Sequence, residues 1–176
     1  METQKKNPAN QIARECIVSA LLQLIKEKPL SSITISELAA RAGVSRMTFY
    51  RNYSSKEEVF SSHLQELLEK YKVEEAEQKI SGKYYNRDHM AHCFRYWYRY
   101  RDFFDGLIFC GFGNVFIEYL MRFIIEKWSY DSAEERLRLI SFTGSIVSLY
   151  IAWAAGGYKE PVETLAGTLE EVYKEK

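Results

Sequence analysis

The chain has 176 residues, with 24 Lys and Arg against 24 Asp and Glu, 47% hydrophobic and 15% aromatic residues, nine Gly and three Pro. That length suffices for one domain, or two small ones, around a substantial core, and so few Gly and Pro exclude a disordered, collagen-like or loop-rich chain. A net charge of zero argues against a polyanionic partner only until the charge is counted by segment.

Cys16, Cys93 and Cys110 are an odd number at no framework spacing, so no disulfide scaffold is expected and a reducing, cytoplasmic setting suits them. The polar start METQKKNPANQ has no apolar h-region behind it. The longest apolar stretches are interrupted or far below the roughly 18 residues of a bilayer span, so no membrane partner is expected.

Helical periodicity runs from end to end. Ile12, Cys16, Ile17, Ala20, Leu21, Leu24 and Ile25 form one stripe of a first helix of about 20 residues, with Asn7 as N-cap, Pro8 in the first turn and Pro29 at the exit. Thr34 and Glu37 make a capping box for a short helix over Ile35 to Ala42, and Gly43 stands where the chain must turn left-handed. Ser45 then caps a second short helix from Arg46 to Asn52. Ser55 and Glu58 make a further capping box, opening a helix through Val59, Phe60, Leu64, Leu67 and Tyr71.

After a loop over residues 78–85 come an aromatic-rich helix (about Asp88 to Tyr100), a short one (about Phe103 to Cys110) and a Gly111-Phe112-Gly113 break. Helices near Val115 to Trp128 and Ser132 to Ala155 follow, then a terminal helix after Pro161 whose stripe is Val162, Leu165, Ala166, Leu169 and Val172. With no period-two alternation and no internal repeat, the fold class is all-α: about nine helices, an N-terminal three-helix head (residues 1–54) on a larger helical body (residues 55–176).

Counting charge by part changes the opening picture. Residues 1–53 hold eight basic and four acidic residues, and the remainder sixteen against twenty, so zero is the cancellation of +4 by −4. A basic head on an acidic body is the footprint of a nucleic-acid binder. The aromatics divide too: Phe49, Tyr50 and Tyr53 lie in the head, and the other 23 in the body.

Two short helices joined by a glycine turn fit a helix-turn-helix, whose second helix lies in the major groove with its first residues at base edges. Leu38, Ala39, Ala42, Val44 and Phe49 supply the small core between them, leaving Arg46, Met47, Thr48, Tyr50 and Arg51 to project. Arginine reads guanine bidentately, a methyl packs on thymine, and hydroxyls bond phosphate. Lys56 adds a cation at the next helix N-terminus.

The segment from Thr34 to Phe60, TISELAARAGVSRMTFYRNYSSKEEVF, resembles the DNA-binding signature of the tetracycline-repressor (TetR) family. The body around Trp153 to Pro161 is similar, less closely, to a group of Gram-positive members. The resemblance implies that Thr34 and Ser36 touch phosphate, that Ser45, Arg46, Met47 and Thr48 face bases, and that Tyr50, Tyr53 and Lys56 flank the backbone. Met47 stands where many members carry glycine, alanine or proline, which bears on base preference.

For the body, the resemblance implies an effector-binding and dimerisation domain. The expected dimer face holds Gly144, Ser148 and Ala152, small residues at helical spacing that permit close approach, with Leu165 and Leu169 of the terminal stripe. Tyr96, Tyr100, Phe104, Phe109, Phe116 and Tyr119 are candidate pocket-lining rings for a small apolar or aromatic effector, although an aromatic core explains such a stripe equally well. His89, His92 and Cys93 have one-turn spacing, but no further ligand follows at useful distance, so no metal site is expected. No P-loop, GxSxG, HExxH or dinucleotide fingerprint is present, so no catalytic residue and no cofactor are expected.

The function expected is that of a cytoplasmic, one-component transcriptional regulator. It would bind a palindromic operator in double-stranded DNA as a homodimer, as a repressor released by a small-molecule effector. The alternative is an activator or nucleoid-type protein of the same fold whose body recruits a protein partner.

Overall fold

The computed structural model describes residues 8–80, 82–128 and 130–174, so the expected cap Asn7, the head cations Lys5 and Lys6, and loop residue Ser81 lie outside the described residues. Nine α-helices occur among those described: α1 (Pro8–Glu27), α2 (Ile35–Arg41), α3 (Arg46–Asn52), α4 (Lys56–Glu77), α5 (Arg87–Arg99), α6 (Arg101–Phe109), α7 (Gly113–Lys127), α8 (Ala133–Ala155) and α9 (Val162–Tyr173).

The caps explain the starts. Thr34 accepts from the Glu37 amide, Ser45 from that of Thr48 and Ser55 from that of Glu58. Ser132 opens α8 in the same way, and Glu135 reaches back to the Asp131 amide at 2.7 Å. Two departures stand out. A 3₁₀ turn, Leu30–Ser32, follows Pro29, a short element that leaves no periodic signal. The long helix α4 runs to Glu77, well beyond Tyr71, because Glu75 is drawn into the body's interior.

In the head, α1 packs on α2 and α3, with Ile17, Leu21, Leu24, Leu38 and Phe49 in one core. Gly43 takes φ +68°, the left-handed turn between the two short helices, with open space around it. The same α1 also packs against α4 and α6. At Gly106 of α6 a Cβ would come within 2.8 Å of the end of the Ile25 side chain and 3.1 Å of that of Leu22, so a larger residue would make these side chains shift.

In the body α9 lies along α5 and α7 along α8. Phe94, Trp97, Phe104, Phe116, Phe142, Tyr150 and Trp153 fill the centre, most edge to face. A hydroxyl cluster closes one end: Tyr158, held at φ +61°, and Tyr150 both donate to Asp105, at 2.6 and 2.9 Å. Helix α8 is long and apolar enough to cross a membrane by length and composition, contrary to the expectation from its interrupted sequence. Here Leu139, Phe142, Ile146, Val147, Tyr150 and Trp153 are buried within the body, as in the core helix of a globular protein.

Helix α4 joins the parts. Arg14 of α1 donates to Glu66 at 2.7 Å while its guanidinium lies over the Tyr53 ring, and His63 also pairs with the carboxylate. His63 first, then Arg14, overcome burial and bring the Glu66 carboxyl down to about 2. A depressed folded-state pKa contributes stability above the unfolded value and loses it as pH falls through the folded one. Denaturant melts should therefore show stability falling between pH about 4.5 and about 2, with Glu66→Gln lowering neutral-pH stability and flattening that slope.

Candidate nucleic-acid interface

Thr34, Ser36, Ser45, Arg46, Met47, Tyr50 and Arg51 are exposed, and Thr48 is half-buried. They lie at the N-cap and first turn of α2 and at the N-cap and along the length of α3, two helices packed on each other. Met47 is 73% exposed and Tyr50 50%, high values for large apolar side chains that no chain segment covers. Beneath them Phe49 is fully buried and meets the Tyr50 ring edge-on at 5.6 Å, so the core orients the outward tyrosine.

Ser45 and Thr48 are partly committed to the cap: Ser45 Oγ accepts from the Thr48 amide at 3.0 Å and lies 3.0 Å from its hydroxyl. Each hydroxyl keeps bonding capacity toward solvent. Elsewhere among the described head residues, Arg41 and Lys28 are paired internally. Arg41 is bidentate to Glu27 at 2.8 and 3.1 Å, and Lys28 reaches Glu37 at 2.7 Å. Both carboxylates are held below their ordinary range chiefly by these hydrogen bonds. Arg46 and Arg51 have no acidic partner among the described residues, so the face they flank carries available positive charge.

Two expected contacts are corrected. Tyr53 is not beside the outer face: it is buried at 2% exposure, its ring under Arg14 and its hydroxyl without a partner, and burial pushes its pKa up to about 12. It is a wedge between α1 and α3, placed inward because the extended residue after α3 points its side chain back into the head. Lys56 is also turned inward. Its ammonium donates to the Leu30 and Ile33 carbonyls, both at 2.6 Å, clamping the 3₁₀ turn and the approach to α2. Neither role is written in local sequence, since both depend on partners more than 20 residues away.

In the body the candidate rings divide. Tyr96, Phe104 and Phe116 are fully buried, with Phe104 and Phe116 5.0 Å apart and the Tyr96 hydroxyl on the Leu67 carbonyl at 2.7 Å. These are core rings packed on one another rather than the walls of a hollow. Tyr100 is half-buried at the edge of an open groove of about 1130 Å³ between α1 and α4, and Tyr119 is half-buried with Arg122 over its ring. Phe109 is corrected outright: 77% exposed, it lines a surface cleft of about 620 Å³ with Ile25, Leu30 and Phe112 where head meets body. It occupies the last position of α6, beyond the stripe that Phe103, Phe104 and Leu107 bury.

The expected dimer residues divide as well. Ser148 and Ala152 are exposed and Gly144 half-exposed with nothing within 4 Å of its Cβ position, on one face of α8 that also shows Leu137 (62%) and Ile151 (38%). Leu165 and Leu169 are buried inside the chain, corrected from the dimer face, because that side of α9 covers α5. Periodicity marked the stripe as apolar without saying which neighbour would cover it.

Residues 17–62 match the model of bacterial regulatory proteins of the tetR family. No curated protein matches the sequence. Among solved structures, Lin0861 from Listeria innocua superposes with a TM-score of 0.80 at 18% identity, over 97% of this chain and 94% of that one. A fatty acid degradation regulator from Bacillus halodurans gives 0.58 at 18% identity, over 97% and 96%. A TetR-like transcriptional regulator from Rhodococcus sp. RHA1 gives 0.57 at 17%, over 92% and 93%. At these identities the likeness is one of fold; the match of residues 17–62, over the helix-turn-helix just described, carries the assignment. Residues 17–62 thus carry the DNA-binding region found in bacterial regulatory proteins of the tetR family.

Proposed function

We propose that the chain is a homodimeric one-component repressor: residues 1–54 hold one half of a palindromic operator, and residues 55–176 dimerise and respond to a small-molecule effector. The observation that carries the DNA part is the uncovered face of Ser45, Arg46, Met47, Tyr50 and Arg51 on a helix whose other side is locked into the core. Arg46 and Met47, at the helix start, read base edges, while Thr34, Ser36, Tyr50 and Arg51 fix the backbone register. A single head offers a small contact area, and two are needed to span half-sites about one DNA turn, roughly 34 Å, apart. The α8 face of Leu137, Gly144, Ser148, Ile151 and Ala152 supports the pairing, since its small residues permit close helix approach and its larger ones are left in water by a lone chain. An effector acts by favouring a body arrangement in which the two heads no longer match the operator spacing.

Selection from a random duplex pool should return an inverted repeat. Arg46→Ala should then cost about 1–3 kcal/mol on that operator and relax specificity at one position of each half-site. An unstructured consensus, or binding indifferent to this change, would oppose the reading.

Lys56→Met is expected to lower stability by about 1–2 kcal/mol through loss of its two carbonyl bonds. It should leave the slope of log affinity against log salt unchanged, whereas loss of a phosphate contact lowers that slope by about one per head.

Ser148→Arg should convert a particle of twice the 20.7 kDa chain mass into one of the chain mass by light scattering. Operator affinity should fall with it.

A further inference from the structure

The body's interior holds one charged cluster among its aromatic rings. Glu75 of α4 is 5% exposed, yet its carboxylate meets His89 Nε2 of α5 and the Lys127 ammonium of α7, and the Tyr71 hydroxyl lies 3.5 Å away. Burial alone would raise this carboxyl; the bonds from His89 and Lys127 outweigh it and hold the group below its ordinary range. Isolating a carboxylate in such a place is costly unless a cation stays beside it.

The surroundings of the Lys127 ammonium are those of a cation receptor. It sits 4.4 Å from the centre of the Trp128 ring and 5.9 Å from that of Phe123, with the Glu75 carboxylate in direct contact and His89 Nε2 at 3.2 Å. Aromatic faces plus a carboxylate are what recognise ammonium groups, and such contacts strengthen as water is removed. Lys127 reaches this position from the surface: its side chain is 29% exposed, against 6% for that of Glu75. Beside it a cleft of about 450 Å³ between α4 and α7 leads from solvent to Glu75 past Lys72, Ile80, Phe123 and Glu126. Two buried imidazole nitrogens in the same layer, His89 Nδ1 and His92 Nε2, have no hydrogen-bond partner, and the His92 ring lies against Tyr71 at 5.1 Å. Bonding capacity there exceeds what the chain itself uses.

We propose that this cluster is the effector site of the body and that it takes a small protonated amine, whose ammonium replaces that of Lys127 on Glu75 between Trp128 and Phe123. The inference rests on the regulator reading, and it departs from an apolar effector because the apolar rings are already packed on each other. Glu75 belongs to the helix that carries the head, whereas Lys127 belongs to α7. Transferring the counter-charge from Lys127 to a ligand removes a direct tie between α4 and α7 while keeping Glu75 neutralised. The chain's own lysine is a tethered competitor, so removing it should raise ligand affinity.

The test is calorimetric titration of the full-length protein with n-butylammonium chloride, with sodium chloride replaced to keep ionic strength constant. Operator affinity is measured in the same buffers. Lys127→Met should bind the amine about tenfold more tightly than wild type, by removal of the tethered competitor, and gain thermal stability from it. Glu75→Gln/Lys127→Met, which leaves no buried charge uncompensated, should bind none, and operator affinity of wild type and Lys127→Met should fall as the amine is added. Absence of amine binding by folded wild type and Lys127→Met overturns the inference, as does binding that survives in the double variant. If Lys127→Met does not fold, wild type decides alone, by saturable binding that Glu75→Gln abolishes. Amine binding without any change in operator affinity overturns the effector role. Failure of the regulator reading is separate: it appears as no sequence-specific DNA binding in amine-free buffer.

Discussion

The one covalent connection between the two parts of this molecule is an uninterrupted helix. The 22 residues of α4 begin under the head, where Lys56 clamps the Leu30–Ser32 turn and Arg14 pins Glu66, and end inside the body, where Tyr71 and Glu75 join the packing of α5 and α7. A helix transmits displacement without bending unless a Pro, Gly or inserted side chain breaks its ladder, and α4 contains neither Pro nor Gly. Its first half therefore moves with the head, and a displacement of its second half is felt at α3.

The same contacts explain why a basic head is not a uniformly sticky one. Arg14, Lys28, Arg41 and Lys56 all lie within reach of carboxylates or carbonyls of the protein and serve its rigidity. Among the described residues, the recognition helix itself offers a duplex Arg46 and Arg51 beside hydroxyls and a methionine, a patch small in charge and rich in shape. Such a surface gains less from counterion release than from fit to base edges. Discrimination on this face then depends on how firmly α3 is held, and Phe49 and Tyr53 beneath it are among the most deeply buried aromatic side chains in the chain.

Most of the fold was legible in the sequence because its signals are local. Ser45 and Ser55 each fixed a helix start, Gly43 fixed the turn, and the stripe of α1 fixed a buried face. The misplaced residues share one feature: their position is decided by a distant partner. Tyr53 and Lys56 carry the chemistry of phosphate contacts, yet α1 and the turn after Pro29 capture them. Leu165 and Leu169 form an apolar stripe that any neighbour could cover, and α5 does so. Phe109 reads as one more ring of an aromatic helix, but α6 ends there and leaves it in water. Periodicity identifies what needs burying, not by what.

Head and body touch at a second place, and its character differs from that of α4. Gly106 lets α6 approach α1 until the ends of Ile25 and Leu22 nearly fill the space a Cβ would need. That contact joins apolar packing to one exposed ion pair, Lys26 to Asp102 at 3.4 Å. The α4 ties, by contrast, are charged hydrogen bonds with fixed geometry. Helix α1 is thus held to the body twice, by the part-buried Arg14–Glu66 pair on α4 and by the packed contact with α6.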